Sequence, residues 1–305
     1  MRMNNSQEKK CSVIAICGSP NAGKSTLLNS IMGKKVSITS NKPQTTRNRV
    51  RAIKTIKATQ LVFIDTPGIF KPKGKLNNRL NRSIVETARN SIDGADFIIF
   101  VFDSTKKFLE NEQEIIKKIS KDKARLLLVL NKIDLVDKGK LLEPAEKITK
   151  EANFEQVFMI SAIDSDGTQD VLNYLIKNSP KSQWLYPEGY ELDVESRVFA
   201  AEITREKLFN NLREELPYGV MVETEKYEED KNIIIYQSII CVSEDHKKII
   251  IGKKGALLKK IGQSARLELE KLWRKKVSLY LHVKVKQDWL EKRESYIIQN
   301  IDFTK

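Results

Sequence analysis

Residues 18–25 read GSPNAGKS, directly after the apolar run SVIAIC (12–17) and directly before the helical pattern TLLNSIMG (26–33). A strand, a glycine-rich loop and a helix in that order make a cradle for a polyanion. Successive backbone N–H groups of such a loop point inward, and the following helix adds the positive end of its dipole. The pattern G-x-x-x-x-G-K-S supplies what a phosphate chain needs. Gly18 and Gly23 let the backbone approach closely, Lys24 reaches the β- and γ-phosphates, and the Ser25 hydroxyl can ligate Mg²⁺. The loop glycines, Lys24 and Ser25 are therefore the candidate phosphate-binding residues.

Three further motifs follow in order, each at the end of an apolar run that reads as a strand. After LVFI comes DTPG (65–68), where Asp65 is placed to hold Mg²⁺ and the Gly68 N–H to meet the γ-phosphate. After RLLLVL comes NKID (131–134). Asp134 can accept from the guanine N1–H and exocyclic amine, donors that adenine lacks, while Asn131 and Lys132 frame the base. After QVFMI come Ser161 and Ala162, where a backbone N–H can meet guanine O6. A carboxylate left unpaired by the wrong base discriminates by ~10⁴-fold or more. The loop 34–51 carries Thr45 and Thr46, either of which can bind Mg²⁺ while a γ-phosphate is present; Thr46 is the better placed. Ile69 follows the DTPG glycine, where many GTPases place the glutamine that orients the attacking water. Isoleucine cannot do so, and slow basal turnover is expected. Arg47 is close enough in sequence to be considered as an arginine finger but reads better as solvated surface.

The five runs 12–17, 61–65, 96–103, 125–132 and 156–161 are apolar almost throughout, which suits a mainly parallel sheet with helices on both faces. Ligands of such sheets bind beyond the carboxyl ends of the strands, where Asp65, Asp103, Asn131 and Ser161 stand. The expected layout is a polar, disordered tail (1–10), a nucleotide domain (11–178), a linker (179–197), a second domain (198–290) and a C-terminal tail (291–305). No apolar run approaches the ~20 residues of a membrane span. Three cysteines in no paired spacing fit a reducing cytosol and buried apolar roles.

The chain of 305 residues carries a formal net charge of +14, which points to a polyanionic partner. The excess is local: residues 247–286 hold thirteen Lys or Arg against Glu268 and Glu270, a net +11. Within that stretch lies IIIGKKG, between two helical patterns, in a segment that reads α-β-β-α-α-β with the first helix ending at Pro217. Gly252 and Gly255 bracketing Lys253 and Lys254 form the G-x-x-G clamp with which KH domains grip about four nucleotides. Leu258, Ile261, Ala265, Leu269 and Leu272 share one helix face and belong to the core. An anionic membrane is the competing partner for the lysines, but it has no use for the glycines. His246 and His282 are isolated and receive no catalytic or metal role.

The stretches GSPNAGKSTLLN, SITSNKPQTTRNR, DTPGI, NKID, SAIDSDG, AAEITREKLFNNLREELPY, IIIGKKG and HVKVKQDW together resemble the Era-type family of bacterial GTPases, from about residue 11 to 290. The resemblance implies a P-loop GTPase domain followed by an α+β type II KH domain. It implies GTP and GDP as ligands, bound at Asn21, Ala22, Gly23, Lys24, Ser25 and Thr26, with Mg²⁺ held by Ser25, Thr46 and Asp65, and K⁺ near Asn21 as one option for catalysis. Thr46, Asp65 and Gly68 are the residues it places at the reaction. RNA contact would fall to Ile251, Gly252, Lys253, Lys254, Gly255 and Lys259. The implied partners are the 3′ end of small-subunit (16S) ribosomal RNA and the small subunit in maturation. A monomer in the cytoplasm, with peripheral association at the inner membrane, completes the expectation. Two departures stand out: GKKG replaces the family's usual GKGG, and PEGYELDVESR lacks the usual Thr-Asp-Arg.

Overall fold

The run KCSVIAIC offers two apolar faces, and the fold buries both. Ile14 and Ile16 pack on one side of the sheet with Leu27, Leu28 and Leu175, while Ala15 and Cys17 pack on the other with Ile115, Ile116 and Ile148. A strand covered on both sides has no polar alternation to show, hence the continuous apolar reading. The structure is a computed structural model and describes residues 8–42, 45–47, 49–68, 79–213, 216–299 and 301.

In chain order the first elements are β1 (Lys10–Cys17), α1 (Lys24–Met32), β2 (Val50–Ile56), β3 (Thr59–Asp65), α2 (Arg79–Asn90), β4 (Phe97–Asp103), α3 (Glu110–Ile119), β5 (Arg125–Asn131), α4 (Leu142–Thr149), β6 (Phe154–Ile160) and α5 (Thr168–Asn178). The strands form one sheet in the order β2-β3-β1-β4-β5-β6, parallel except for β2. The parallel sheet agrees with the sequence reading. Strand β2 does not appear in it. This strand pairs with β3 through a tight turn in which Lys57 takes φ 53° instead of a signalling glycine.

Two other readings are corrected. Lys10 already opens β1, so the expected tail 1–10 shrinks, and residues 1–7 lie outside the described residues. The stretch 179–197 is not a free linker up to its last few residues: the first compact unit runs to Asp193. The Gln60 side chain holds it, accepting from the Leu185 and Tyr186 N–H groups at 2.9 and 3.0 Å and donating to the Tyr186 carbonyl at 2.9 Å. Ile53 N–H donates to Glu191 O and Asp193 N–H to Arg51 O, both at 2.9 Å, so the segment continues the sheet edge. An edge strand thus gains a cover for its free backbone groups.

The second unit contains α6 (Ser196–Asn211), β7 (Met221–Glu229), β8 (Ile233–Cys241), α7 (Glu244–Ile251), α8 (Ala256–Trp273), β9 (Val277–Val285) and α9 (Arg293–Ile298), with the loop Ile38–Thr45 grouped in it. Its sheet runs β7-β8-β9, antiparallel then parallel. Leu208, Ile239, Ile250, Ile261 and Val283 build its core. A polar chain crosses that core: Thr204 donates to Gln237 at 2.6 Å, and Gln237 donates to Thr224 at 3.1 Å. Helix α6 ends at Asn211, before the Pro217 stop that its sequence suggests. Lys42 donates to the carbonyls of Phe209 and Leu212, satisfying the open end of the helix. Among the described residues no helix is long and apolar enough to cross a membrane.

The C-terminal segment 291–305, read as a tail, contains α9 and a fully buried Tyr296; residues 302–305 lie outside the described residues. Replacing a buried ring of this size by alanine costs about 3–5 kcal/mol. Tyr296→Ala should therefore lower the urea midpoint of unfolding clearly, and an unchanged midpoint would restore the segment to a loose tail.

Candidate functional site

The phosphate loop is shaped by steric necessity at two glycines. A Cβ on Gly18, at φ 143°, would lie 2.3 Å from the Val101 carbonyl oxygen of β4. A Cβ on Gly23, at φ 97°, would lie 2.1 Å from Nδ2 of Asn131. Both close approaches are open only to glycine. Asn21 takes a left-handed φ of 64°, which asparagine tolerates better than most residues. Gly23 caps α1 without a side chain, so the first N–H groups of the helix stay open for an anion. Lys24 is buried, and its Nζ donates to the carbonyls of Gly18 and Ser19 at 3.2 and 2.9 Å. Burial pulls its pKa down to about 8, against the pull of Asp65 in the other direction. A phosphate chain would supply the anion this ammonium lacks. Helix α3 braces the loop from outside, because Ser19 donates to Glu112 at 2.5 Å and Asn111 donates to Ser19 at 3.1 Å.

Next to the lysine stands a cluster of oxygen ligands. Asp65 is fully buried at the end of β3. Its Oδ2 accepts from Ser25 at 2.6 Å and from Ser37 at 2.7 Å, and Ser25 Oγ lies 2.9 Å from Thr46 Oγ1. Oδ1 is buried with no hydrogen-bond partner among the described residues. Burial raises the pKa of the carboxyl, and the two hydroxyls and Lys24 pull it down. One carboxylate with hydroxyls and an unsatisfied oxygen suits Mg²⁺, which takes few protein ligands beside substrate phosphates. Among the described residues no cluster of three His, Cys, Asp or Glu offers an alternative metal site. Of the two candidate threonines, Thr46 joins the cluster, while the Thr45 hydroxyl donates to Lys42 O at 2.8 Å. Gly68 packs on the phosphate loop, where a Cβ would come within 3.0 Å of the Pro20 backbone. Arg47 is buried, not on the solvated surface. Ile69 lies outside the described residues.

At the other end, Asn131 is a brace between loops. Its Nδ2 donates to Ala22 O at 2.8 Å and its Oδ1 accepts from the Ala162 N–H at 3.0 Å. The phosphate loop and the Ser161–Ala162 loop are thereby held by one amide. Lys132, at φ 66°, donates to Asp103 at 2.6 Å. Burial pushes the Asp103 carboxyl up, but its bonds from Lys132 and Thr105 outweigh this and leave it below the ordinary range. Asp134 is exposed in a short 3₁₀ turn, free to meet a ligand. Ser161 donates to Asp164 at 2.9 Å, and Gly167 turns the loop where a Cβ would meet the Met159 carbonyl at 2.7 Å. Ser19, Asn29 and Ser37 lie within the quoted motifs without an assigned role, Glu112 lies in none, and only the strand-end position of Asp103 hints at its role.

In the second unit the clamp stands open. Gly252 (φ 72°), Lys254 (φ 51°) and Gly255 (φ 77°) all take positive φ between α7 and α8. A Cβ on Gly252 would lie 2.8 Å from Cβ of Leu257, whereas one on Gly255 would meet nothing within 4 Å. Lys253, Lys254 and Lys259 are exposed, and Ile251 is half-buried. The wider basic field is partly neutralised: Lys275 pairs with Glu229 at 2.7 Å, Arg266 with Glu270 at 3.0 Å, and Lys284 with Glu225. Among the described residues, Lys253, Lys254, Lys259 and Lys260, at the clamp and the start of α8, have no acidic partner, and neither do Lys271, Arg274, Lys276 and Lys286 farther along.

Asp134→Asn should weaken GDP binding by about 10²-fold or more, because the amide presents a donor where guanine also presents donors. It should favour xanthosine diphosphate, whose O2 accepts. Titration with fluorescent nucleotides checks this, and unchanged GDP affinity would remove Asp134 from the base site.

Known proteins carry the same two parts. A family model described as a 50S ribosome-binding GTPase matches residues 13–132, and a KH domain model matches residues 215–290. GTPase Era of Brucella suis is 43% identical over 292 residues, covering 95% of this chain and 93% of that protein. GTPase Era of Geobacter metallireducens is 43% identical over 281 residues, covering 91% and 93%. The crystal structure of a single-residue variant of Aquifex aeolicus Era bound to GDP and AlF4⁻ superposes with a TM-score of 0.90 at 37% identity, covering 95% of this chain and 98% of that one. A structure of Era with MgGDPNP and nucleotides 1506–1542 of 16S ribosomal RNA matches with the same score, identity and coverage. With its phosphate loop, base loops and KH clamp in this order and this likeness over nearly its whole length, the chain belongs to the Era family of GTPases.

Proposed function

We propose that this GTPase is a switch that grips the 3′ end of 16S ribosomal RNA through its KH domain and assists maturation of the small ribosomal subunit. The observation that carries the reading is the exposed GKKG turn, whose lysines have no acidic partner among the described residues. The Era complex holding both a GTP analogue and 16S nucleotides supports the choice of RNA. Ser25, Thr46 and Asp65 would hold Mg²⁺, which neutralises charge between the β- and γ-phosphates when bound. Lys24, the Gly68 N–H and the start of α1 would stabilise the charge that builds as the bond from γ-phosphorus to the bridging oxygen breaks and water oxygen bonds to phosphorus. Asn21 is the residue for a K⁺ contribution. In this reading the protein is a cytoplasmic monomer with peripheral association at the inner membrane.

The test is fluorescence anisotropy of a labelled 3′-terminal 16S RNA against the full chain loaded with GDPNP. Affinity should fall steeply with salt, and removing Lys253 or Lys254 should reduce the logarithmic salt slope by about 1 each. Gly255→Asp, which adds a like charge to phosphate and strains a positive φ, should weaken binding at least tenfold. RNA that does not bind, with retention on phosphatidylglycerol vesicles instead, would overturn the reading in favour of a lipid surface.

A further inference from the structure

The motif TLLN continues the phosphate-loop signature, and its asparagine is engaged with the loop that follows α1. Asn29 lies one helical turn after Ser25 on α1, on the same face. Its side chain is spent on two residues. Oδ1 accepts from the Val36 N–H at 2.8 Å and from the Ser37 N–H at 2.9 Å, and Nδ2 donates to the Ser37 carbonyl at 2.8 Å. Two N–H donors on one side and a carbonyl on the other admit a single orientation of the amide. Val36 and Ser37 are buried, and both lie where the loop leaves α1.

The Ser37 hydroxyl, so fixed, donates to Asp65 Oδ2 at 2.7 Å. Ser25 donates to the same oxygen at 2.6 Å, which leaves Oδ1 as the oxygen without a partner. Two hydroxyls on Oδ2 set the rotation of the carboxylate, and one of them is held through a backbone that Asn29 clamps from α1. We infer that Asn29 and Ser37 are positioning residues for the divalent cation of this GTPase, aiming the Asp65 carboxylate through the chain Asn29–Ser37–Asp65. The inference rests on the assignment of Asp65 to the Mg²⁺ site.

The experiment measures release of fluorescent GDP from the full chain across a Mg²⁺ titration and in EDTA. Groups that orient a metal ligand typically change metal affinity by about 10–100-fold when removed. Ser37→Ala and Asn29→Ala should each raise the half-saturating Mg²⁺ about tenfold while leaving GDP release in EDTA as in the unaltered chain. Ser37→Thr, which keeps the hydroxyl, should restore the midpoint. The double variant should be no worse than the worse single one, since both act through one chain of bonds. Equal weakening with and without Mg²⁺ would make the pair merely structural, and an unshifted midpoint would remove it from the metal site; either result overturns the inference. Asp65→Ala separates the two layers. If it too leaves the Mg²⁺ midpoint in place, the metal assignment itself fails; if it moves the midpoint and Ser37→Ala does not, only the positioning chain fails.

Discussion

A carboxylate buried to zero exposure, with one oxygen satisfied and the other without a partner among the described residues, is the constraint around which the nucleotide domain is arranged. An isolated buried charge is costly, and the fold offsets that cost for Asp65 with hydroxyls from α1 and from the loop that follows it. The remaining oxygen is the one a hard cation would take. Lys24 is the complementary case, a buried ammonium whose hydrogen bonds among the described residues go to carbonyl oxygens. The two charges are incomplete without ligand in opposite senses. A phosphate chain with its cation would complete both at once.

The loops that meet the ligand are tied to one another and not merely placed side by side. Asn131 holds Ala22 and Ala162 with one amide, Glu112 holds Ser19, and Asn29 holds Val36 and Ser37. Each tie joins a strand-end loop or a helix to the phosphate loop or the loop after α1. A site built this way costs little reorganisation when the nucleotide arrives. The KH clamp follows another rule. Its turn is held by positive φ angles and a close Gly252–Leu257 approach, while Gly255 faces open space suited to a nucleic-acid backbone.

Much of this is legible in the chain. The parallel strands announce themselves because two-sided burial leaves unbroken apolar runs, and the four nucleotide motifs and the G-x-x-G clamp depend on residue type at fixed short spacing. What escapes depends on partners far away in sequence. Strand β2 is followed by a turn without glycine, and its second edge is covered by a segment from 191–193. The segment up to Asp193 is held by Gln60, a residue with no local signature. Helix α6 stops short of Pro217, with Lys42 from a distant loop covering its open carbonyls. Asn131 reads as a base-framing residue, and its ties to Ala22 and Ala162 are not visible in the sequence beside that reading. The basic field reads as continuous, yet Glu225 and Glu229 of β7 remove part of it. Charge counted along a segment cannot see acids that arrive from another strand.

The central claim is that nucleotide turnover and the KH clamp belong to one device. GTP hydrolysis by the full chain, in K⁺ buffer with Mg²⁺, with and without the 3′-terminal 16S RNA and with Gly255→Asp alongside, tests it most directly. The account predicts slow turnover alone, a clear rise with RNA, and no rise in the variant. A rate that RNA leaves unchanged while RNA is bound would contradict it.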